Sequence, residues 1–378
     1  MKYIKGLDGL RAFAILVVII DHWTVRRGPT LDFYSPIGFL HRLLVPGGLF
    51  GVSLFFVLSG FLITSILLKE KENNQNTKGT LINFFFRRAL RIFPIYYLTL
   101  AILFFINYPD IRQNFLAFTT YTSNYTIYNQ HHWNAFSHSW SLSVEEQFYL
   151  VWPWCVLFTP KKLMKSMFLF FIAVGMISKI WVHSIDHGFN YLLVFNCFDA
   201  FGIGGLYALS IRDEKTMAQF RYWLRILLPI SISVYTFWRI APYIGQIEHF
   251  NLFARTIESI ISVALVHWVV SGEGHQAFKR LCEQKILVWI GTVSYGLYLY
   301  HYPIDILYDI YLPKLISHGF PMWVNNFYFA LLLKTVSLLS ITYLSFYYIE
   351  KPILGLKKAF SYKSNQVIEN KLNPVKTG

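Results

Sequence analysis

Apolar runs long enough to cross a hydrocarbon core of about 30 Å recur along the whole 378-residue chain. Backbone polar groups inside a bilayer have no water to bond, so each run must satisfy its own amides as a helix. Ten such spans are predicted, near residues 7–25, 49–68, 90–107, 146–159, 166–184, 191–211, 224–241, 256–272, 286–310 and 327–349. The fourth is short for a bilayer and is expected to begin earlier, in the segment before it. The expected fold is therefore an all-α, polytopic integral membrane protein of about ten transmembrane helices. Residues 1–358 form the membrane domain, and 359–378 form a polar, disordered tail. Only 14% of residues are charged, against about 25% in a soluble domain. That leaves no room for a separate soluble domain.

The N-terminus presents Lys2, Lys5 and Arg11 before the apolar run 12–20, the outline of a secretory signal. No small-x-small cleavage site follows; Asp21, His22 and Trp23 do. The segment is read as an uncleaved first span. The formal charge of +14 does not indicate nucleic acid, because the basic residues sit in short patches between apolar runs. Alternate connections carry Lys69, Lys71, Lys78 and Arg87, then Lys161, Lys162 and Lys165, then Arg212, Lys215 and Arg221, then Lys279, Arg280 and Lys285. The opposite connections are poor in them. By the positive-inside rule both termini face the cytoplasm. The three cysteines, Cys155, Cys197 and Cys282, form no metal-ligand spacing and no disulfide framework. They read as small buried hydrophobes, and no metal is expected.

Ionisable residues within apolar segments are costly and tend to face a bundle interior or a water-filled cavity. The run 12–20 is too short to cross alone, so the first helix must include Arg11 and His22. Eleven residues apart, they share one face, about 16 Å apart along the axis. The bland alternative makes Arg11 an anchoring cation and His22 an interfacial residue beside Trp23. At the mouth of the third span stand Arg87, Arg88 and Arg91. They are either a topology anchor or an anion site, since arginine keeps its charge and offers a planar fork of donors. Pro94 is expected to disturb the helix just beyond.

The stretch 139–149 carries two adjacent carboxylates, Glu145 and Glu146. One reading is a capping box, with Ser143 as N-cap and Glu146 three residues on. The other is catalytic, with Glu145 meeting His22 to fix its tautomer and steady its protonated form. The two are compatible. Asp199, just before Gly202 and Gly204–Gly205, is a buried-charge candidate, and His301 lies deep in the ninth span. A lone helical histidine among aromatics is more often packed than catalytic.

These landmarks together resemble the bacterial acyltransferase-3 family, of the O-antigen acetylase type. The matching motifs are Arg11-x10-His22, the run 51–63, Arg87-Arg88-x2-Arg91-Ile92-x-Pro94, and Trp140-Ser141-Leu142-x2-Glu145-x2-Phe148-Tyr149. Ser294-Tyr295-x2-Tyr298-Leu299-x-His301 and Glu350-x-Pro352 follow. One departure stands out: an arginine is expected just before Asp199, where this chain has Cys197 and Phe198. The resemblance implies a bacterial inner-membrane O-acetyltransferase. It would move an acyl group, acetyl above all, from cytoplasmic acyl-CoA as co-substrate to a hydroxyl of a cell-surface carbohydrate. In that scheme His22 and Glu145 are catalytic, and Arg11, Arg87, Arg88 and Arg91 bind acyl-CoA. Trp140, Ser141, Asp199 and His301 support them. No permanently bound cofactor is implied. Membrane lipid, the carbohydrate acceptor and acyl-CoA are the expected partners. Family members often carry an extra periplasmic esterase-like domain; with none in this sequence, a separate periplasmic transferase is the expected partner for any final transfer. The rival reading is a transporter or flippase of a lipid-linked sugar. It accounts for the spans and intramembrane charges but not for arginines at one mouth and His22 toward the other.

Overall fold

The computed structural model describes residues 3–25, 35–73, 76–185, 188–241, 252–273, 276–318, 321 and 326–360. Every element among them is helical. Ten principal helices follow one another: α1 (Lys5–Ile20), α2 (Gly48–Asn73), α3 (Thr77–Phe105), α4 (Ser139–Phe158), α5 (Met164–His183), α6 (Phe198–Ser210), α7 (Glu214–Ile240), α8 (Ala254–Ser271), α9 (Ser294–Ser317) and α10 (Phe327–Ser345). Each falls on one of the ten expected spans. Five stretches are long and apolar enough by themselves to cross a membrane: Gly38–Asn73, Thr77–Phe105, Lys161–His183, Ala254–Ser271 and Phe327–Gly355. The other expected spans fall on helices that are shorter or more polar. From residue 361 on, the expected tail lies outside the described residues.

Two sequence expectations are corrected. The first is the capping box: α4 starts at Ser139, earlier than the short span 146–159 as expected, and its N-cap position is His138. Ser143 is thus inside the helix, where its hydroxyl meets Ser123 at 2.9 Å. It caps nothing, and Glu146 is not in a first turn. The second correction concerns Pro94, which lies within an unbroken α3.

The packing is centred on α2. Its residues are buried on most faces, with Leu54, Phe56, Val57, Leu58, Phe61 and Ile63 among the core. It lies against α6, α1, α8 and α4. Small residues let these backbones approach, which is how helices associate where lipid supplies no hydrophobic drive. A Cβ on Gly60 would run into the Phe201 carbonyl, and one on Gly204 would run into that of Val57. The α2–α6 contact is therefore glycine-dependent from both sides. By contrast α5 and α10 turn apolar side chains outward, among them Phe170, Ile177 and Trp181, and Leu332, Val336 and Leu344. Those faces suit lipid. Cys197 and Cys282 are buried free thiols, and Cys155 is half-buried.

α1 does not stop at Ile20. It continues as one wide π-helical turn, Asp21–Val25. Such turns inside α-helices recur at functional sites because they re-aim side chains. This one carries His22.

Candidate active site

Three cavities lie in succession between the helices, each sharing walls with the next. The first, about 550 Å³, is lined by Arg11 from α1, Lys69 from α2, and Arg87, Arg88 and Arg91 from α3. Its acidic members are Asp8, Glu70 and Glu350. Arg11 pairs with Asp8 at 3.2 Å, and the Tyr3 hydroxyl donates to the same carboxylate at 2.5 Å. Arg87 donates to the carbonyls of Lys357 and Phe360 at 3.2 and 3.4 Å, tying α3 to the C-terminal end. Arg88 lies 4.7 Å over the Tyr149 ring. Neither Arg88 nor Arg91 has a carboxylate within ion-pair distance among the described residues. The field is strong enough to reach a neighbour. Burial, with the positive charges of Arg91, Arg88, Arg87 and Arg11, pushes the Lys357 ammonium down to about 7.

The second cavity, about 80 Å³, shares Arg11, Arg88, Arg91 and Tyr295 with the first. Glu145 and Glu146 both line it. Glu145 accepts from Ser59 at 2.7 Å, and Tyr149 lies against the same serine at 3.1 Å. Glu145 is therefore not the partner of His22. Glu145 lies seven residues after His138, the N-cap of α4, so the carboxylate sits about 10 Å further along the helix axis than that histidine end.

The third cavity, about 30 Å³, holds His22 and His138 with Trp133, Trp140, Tyr191 and Tyr302. It shares Val52 and Tyr298 with the second. Tyr298 stands at the junction. Its hydroxyl meets Ser141 at 2.5 Å and donates to the His138 carbonyl at 3.1 Å. Trp140 packs edge-on against Phe56 and Tyr191. Ser141 and Trp140 thus border the second and third cavities respectively.

His22 Nδ1 and His301 Nε2 are 2.9 Å apart, with the two rings stacked at 5.1 Å. His301 Nδ1 lies 2.7 Å from the Tyr298 carbonyl. A carbonyl only accepts, so His301 Nδ1 carries the proton, and its Nε2 is an acceptor. His22 Nδ1 must then be the donor, which leaves His22 Nε2 as the ring's basic nitrogen. The tautomer-setting role expected of Glu145 falls geometrically to His301. Trp23 also donates to the His301 carbonyl at 3.2 Å.

A third histidine, His138, was missed in the sequence. Its Nε2 donates to the Leu299 carbonyl at 3.2 Å, and its ring lies 5.2 Å from those of His301 and Tyr302. The only signal was its place directly before the 139–149 stretch. Asp199, by contrast, is drawn away from this site. It is fully buried in an ion pair with Lys179 from α5 and also accepts from Thr256. No cluster able to hold a metal ion occurs among the described residues.

A helical membrane protein with an arginine-lined cavity at one end of a path and paired histidines at the other is the class these observations define. The family model described as an acyltransferase domain matches residues 4–348, and the chain belongs to that family. It is 29% identical to the peptidoglycan O-acetyltransferase OatA of Listeria monocytogenes, over 98% of this chain and 60% of that protein. It is also 29% identical to the O-acetyltransferase OatA of Staphylococcus aureus, over 95% of this chain and 58% of that protein. The chain thus spans about 60% of the length of these relatives. No solved structure matches it.

Proposed function

We propose that the protein is an O-acyltransferase of the bacterial cytoplasmic membrane. It moves an acetyl group from acyl-CoA, bound at the arginine end, to a hydroxyl of a surface or exported carbohydrate at the histidine end. The observation that carries this reading is the unbroken succession of shared walls from Arg11, Arg88 and Arg91 through Tyr298 to His22. The basic bias between spans assigns the arginine end to the cytoplasm, where acyl-CoA is found.

Each part has a task its chemistry suits. Coenzyme A carries several phosphates, and arginine forks bind phosphate with two parallel bonds. Arg88 and Arg91, without carboxylate partners among the described residues, are the strongest candidates for that contact, and Arg11 and Arg87 supply the rest of the field. The pantetheine arm enters the middle cavity and brings the thioester toward Tyr298. That cavity is narrow, so Tyr295 and Tyr298 must turn aside as the arm passes. His22 Nε2 takes the proton of the acceptor hydroxyl. The hydroxyl oxygen bonds to the thioester carbonyl carbon, the C–S bond breaks, and the imidazolium returns its proton to the leaving thiolate. His22 attacking first, to hold the acetyl group transiently, uses the same nitrogen. Glu145 and Glu146 position the arm rather than assist His22 directly.

The names of both relatives support acetyl as the group, and the name of the Listeria relative supports peptidoglycan as the glycan acceptor. Purified protein given radiolabelled acetyl-CoA tests the reading. Release of free coenzyme A, or label on the protein, supports it. Neither event, with uptake of a lipid-linked sugar into vesicles, supports the transporter instead.

A further inference from the structure

His22 stands in a turn wider than the rest of α1, and something must hold that width. A π turn carries one residue more than an α turn, about 100° of rotation. Its register therefore decides whether the His22 ring meets His301. Two contacts hold the turn on the α9 side. His22 Nδ1 lies 2.9 Å from His301 Nε2, and Trp23 donates to the His301 carbonyl at 3.2 Å.

The opposite side belongs to Asp21, which the mechanism above does not use. Its carboxylate lies against Gly47 and Gly48 at the start of α2. A Cβ on Gly48 would stand 2.9 Å from Asp21 Oδ2 and 3.1 Å from the Asp21 Cβ. Glycine is what leaves room for the carboxylate there.

Arg239, in the last turn of α7, reaches the same place. A Cβ on Gly47 would lie 3.3 Å from its Nη1 and 4.0 Å from Asp21 Oδ1. The rest of the guanidinium is tethered. Its Nε donates to the Arg42 carbonyl and its Nη2 to the Val45 carbonyl, both at 2.8 Å. The planar fork is thereby fixed in orientation, with Nη1 left on the Gly47 side. One turn earlier on α7, the Tyr235 hydroxyl oxygen accepts from the Gly47 N–H at 3.4 Å, and its ring meets Phe50 at 5.8 Å. Phe50 in turn packs edge-on against Phe13 of α1. Asp21 and Arg239 are both half-buried, a setting in which opposite charges attract more than in water.

We propose that Asp21 and Arg239 are positioning residues for His22: they clamp the π turn from the α7 side while His301 receives it on the α9 side. The inference rests on the reading of His22 as the reacting base, and neither residue touches the reacting atoms. Without the clamp the turn relaxes toward a plain α-helix and swings the imidazole off His301 Nε2. His22 then loses the partner that keeps its proton on Nδ1.

Two measurements test it. Nitrogen NMR of the histidine-labelled full chain reads the tautomer without any turnover, with His22 assigned by the signal lost in His22→Gln. The wild type should show the proton on Nδ1, and Asp21→Asn and Arg239→Gln should each show a mixture of both tautomers. In steady-state kinetics each variant should lower kcat about 10–10²-fold, the scale of a misplacement near 1 Å, with the KM for acetyl-CoA unchanged. The double variant should lose no more than the worse single one, because the two side chains act as one unit. A His22 signal unchanged in both variants, or losses that multiply in the double variant, overturns the proposal. If either variant fails to fold, Gly48→Ala serves instead. It keeps both charges, displaces the Asp21 carboxylate and should give the same mixed signal. A protein whose His22 signal responds to these substitutions but which never consumes acetyl-CoA would keep the clamp and discard the acyltransferase reading. One that turns over acetyl-CoA equally fast in wild type and both variants would do the reverse.

Discussion

At the scale of single residues, the account turns on two imidazoles and where their protons sit. The Tyr298 carbonyl fixes His301 with its proton on Nδ1, and His301 Nε2 then holds His22 with its basic nitrogen at Nε2. His22→Ala should lower turnover by about 10²–10⁴-fold, the usual contribution of a positioned base, with insertion into the membrane unaffected. His301→Ala should lower kcat more than Glu145→Gln does, measured by steady-state kinetics at saturating acetyl-CoA. A larger loss in Glu145→Gln would return the orienting role to the carboxylate. His22 and the arginines were legible in the sequence because ionisable side chains in an apolar run need a reason. Glu145 was legible as a carboxylate needing a reason, but its distance from His22 was not, because its height depends on where α4 begins. His138 was legible only through its place before the 139–149 stretch, since it gains its meaning when α9 brings His301 and Tyr302 beside it.

At the scale of elements, the positions of the ten helices were largely readable from apolar runs and basic patches, but their ends were not. α4 begins seven residues ahead of the apolar span 146–159. An earlier start was expected from that span's shortness, but its place was not legible because the first turns are made of serines and a tryptophan, which look like loop until neighbours bury them. The π turn at Asp21–Val25 left no mark in the sequence, as hydrophobic periodicity does not resolve one extra residue in a turn. The glycines near Asp199 did signal close packing, and α2 does meet α6 there. Gly60→Val or Gly204→Val should cost on the order of 1–3 kcal/mol, the usual range for overpacking, seen as a lower thermal midpoint in detergent. An unchanged midpoint would mean the two helices separate readily.

The α3 arginines make a second element-scale prediction: Arg88→Gln with Arg91→Gln should raise the KM for acetyl-CoA and leave that for the acceptor. If the acceptor's KM moves instead, the phosphate assignment is wrong. The same field gives a pH signature. Lys357, pushed down to about 7, is protonated below that pH and adds to the positive mouth; above it the charge is lost. The KM for acetyl-CoA should therefore rise as pH passes upward through 7. Lys357→Gln should flatten the rise, and an equal rise in both proteins would remove Lys357 from the account.

At the scale of the whole molecule, the protein is a helical bundle whose internal cavities run from one chemical environment to another. No segment of the sequence shows this path, because its walls come from α1, α2, α3, α4 and α9, and contiguity exists only after folding. The resemblance to a family implies the direction of transfer, and the succession of cavities is the route proposed for it. A transporter would also need a path, but it would not need a basic imidazole at the far end. Sided transfer in proteoliposomes separates the two most directly. With radiolabelled acetyl-CoA supplied only on the arginine side and glycan acceptor only on the histidine side, label should appear on the acceptor with wild-type protein and not with His22→Ala. Label reaching the acceptor in His22→Ala at the wild-type rate would contradict the account.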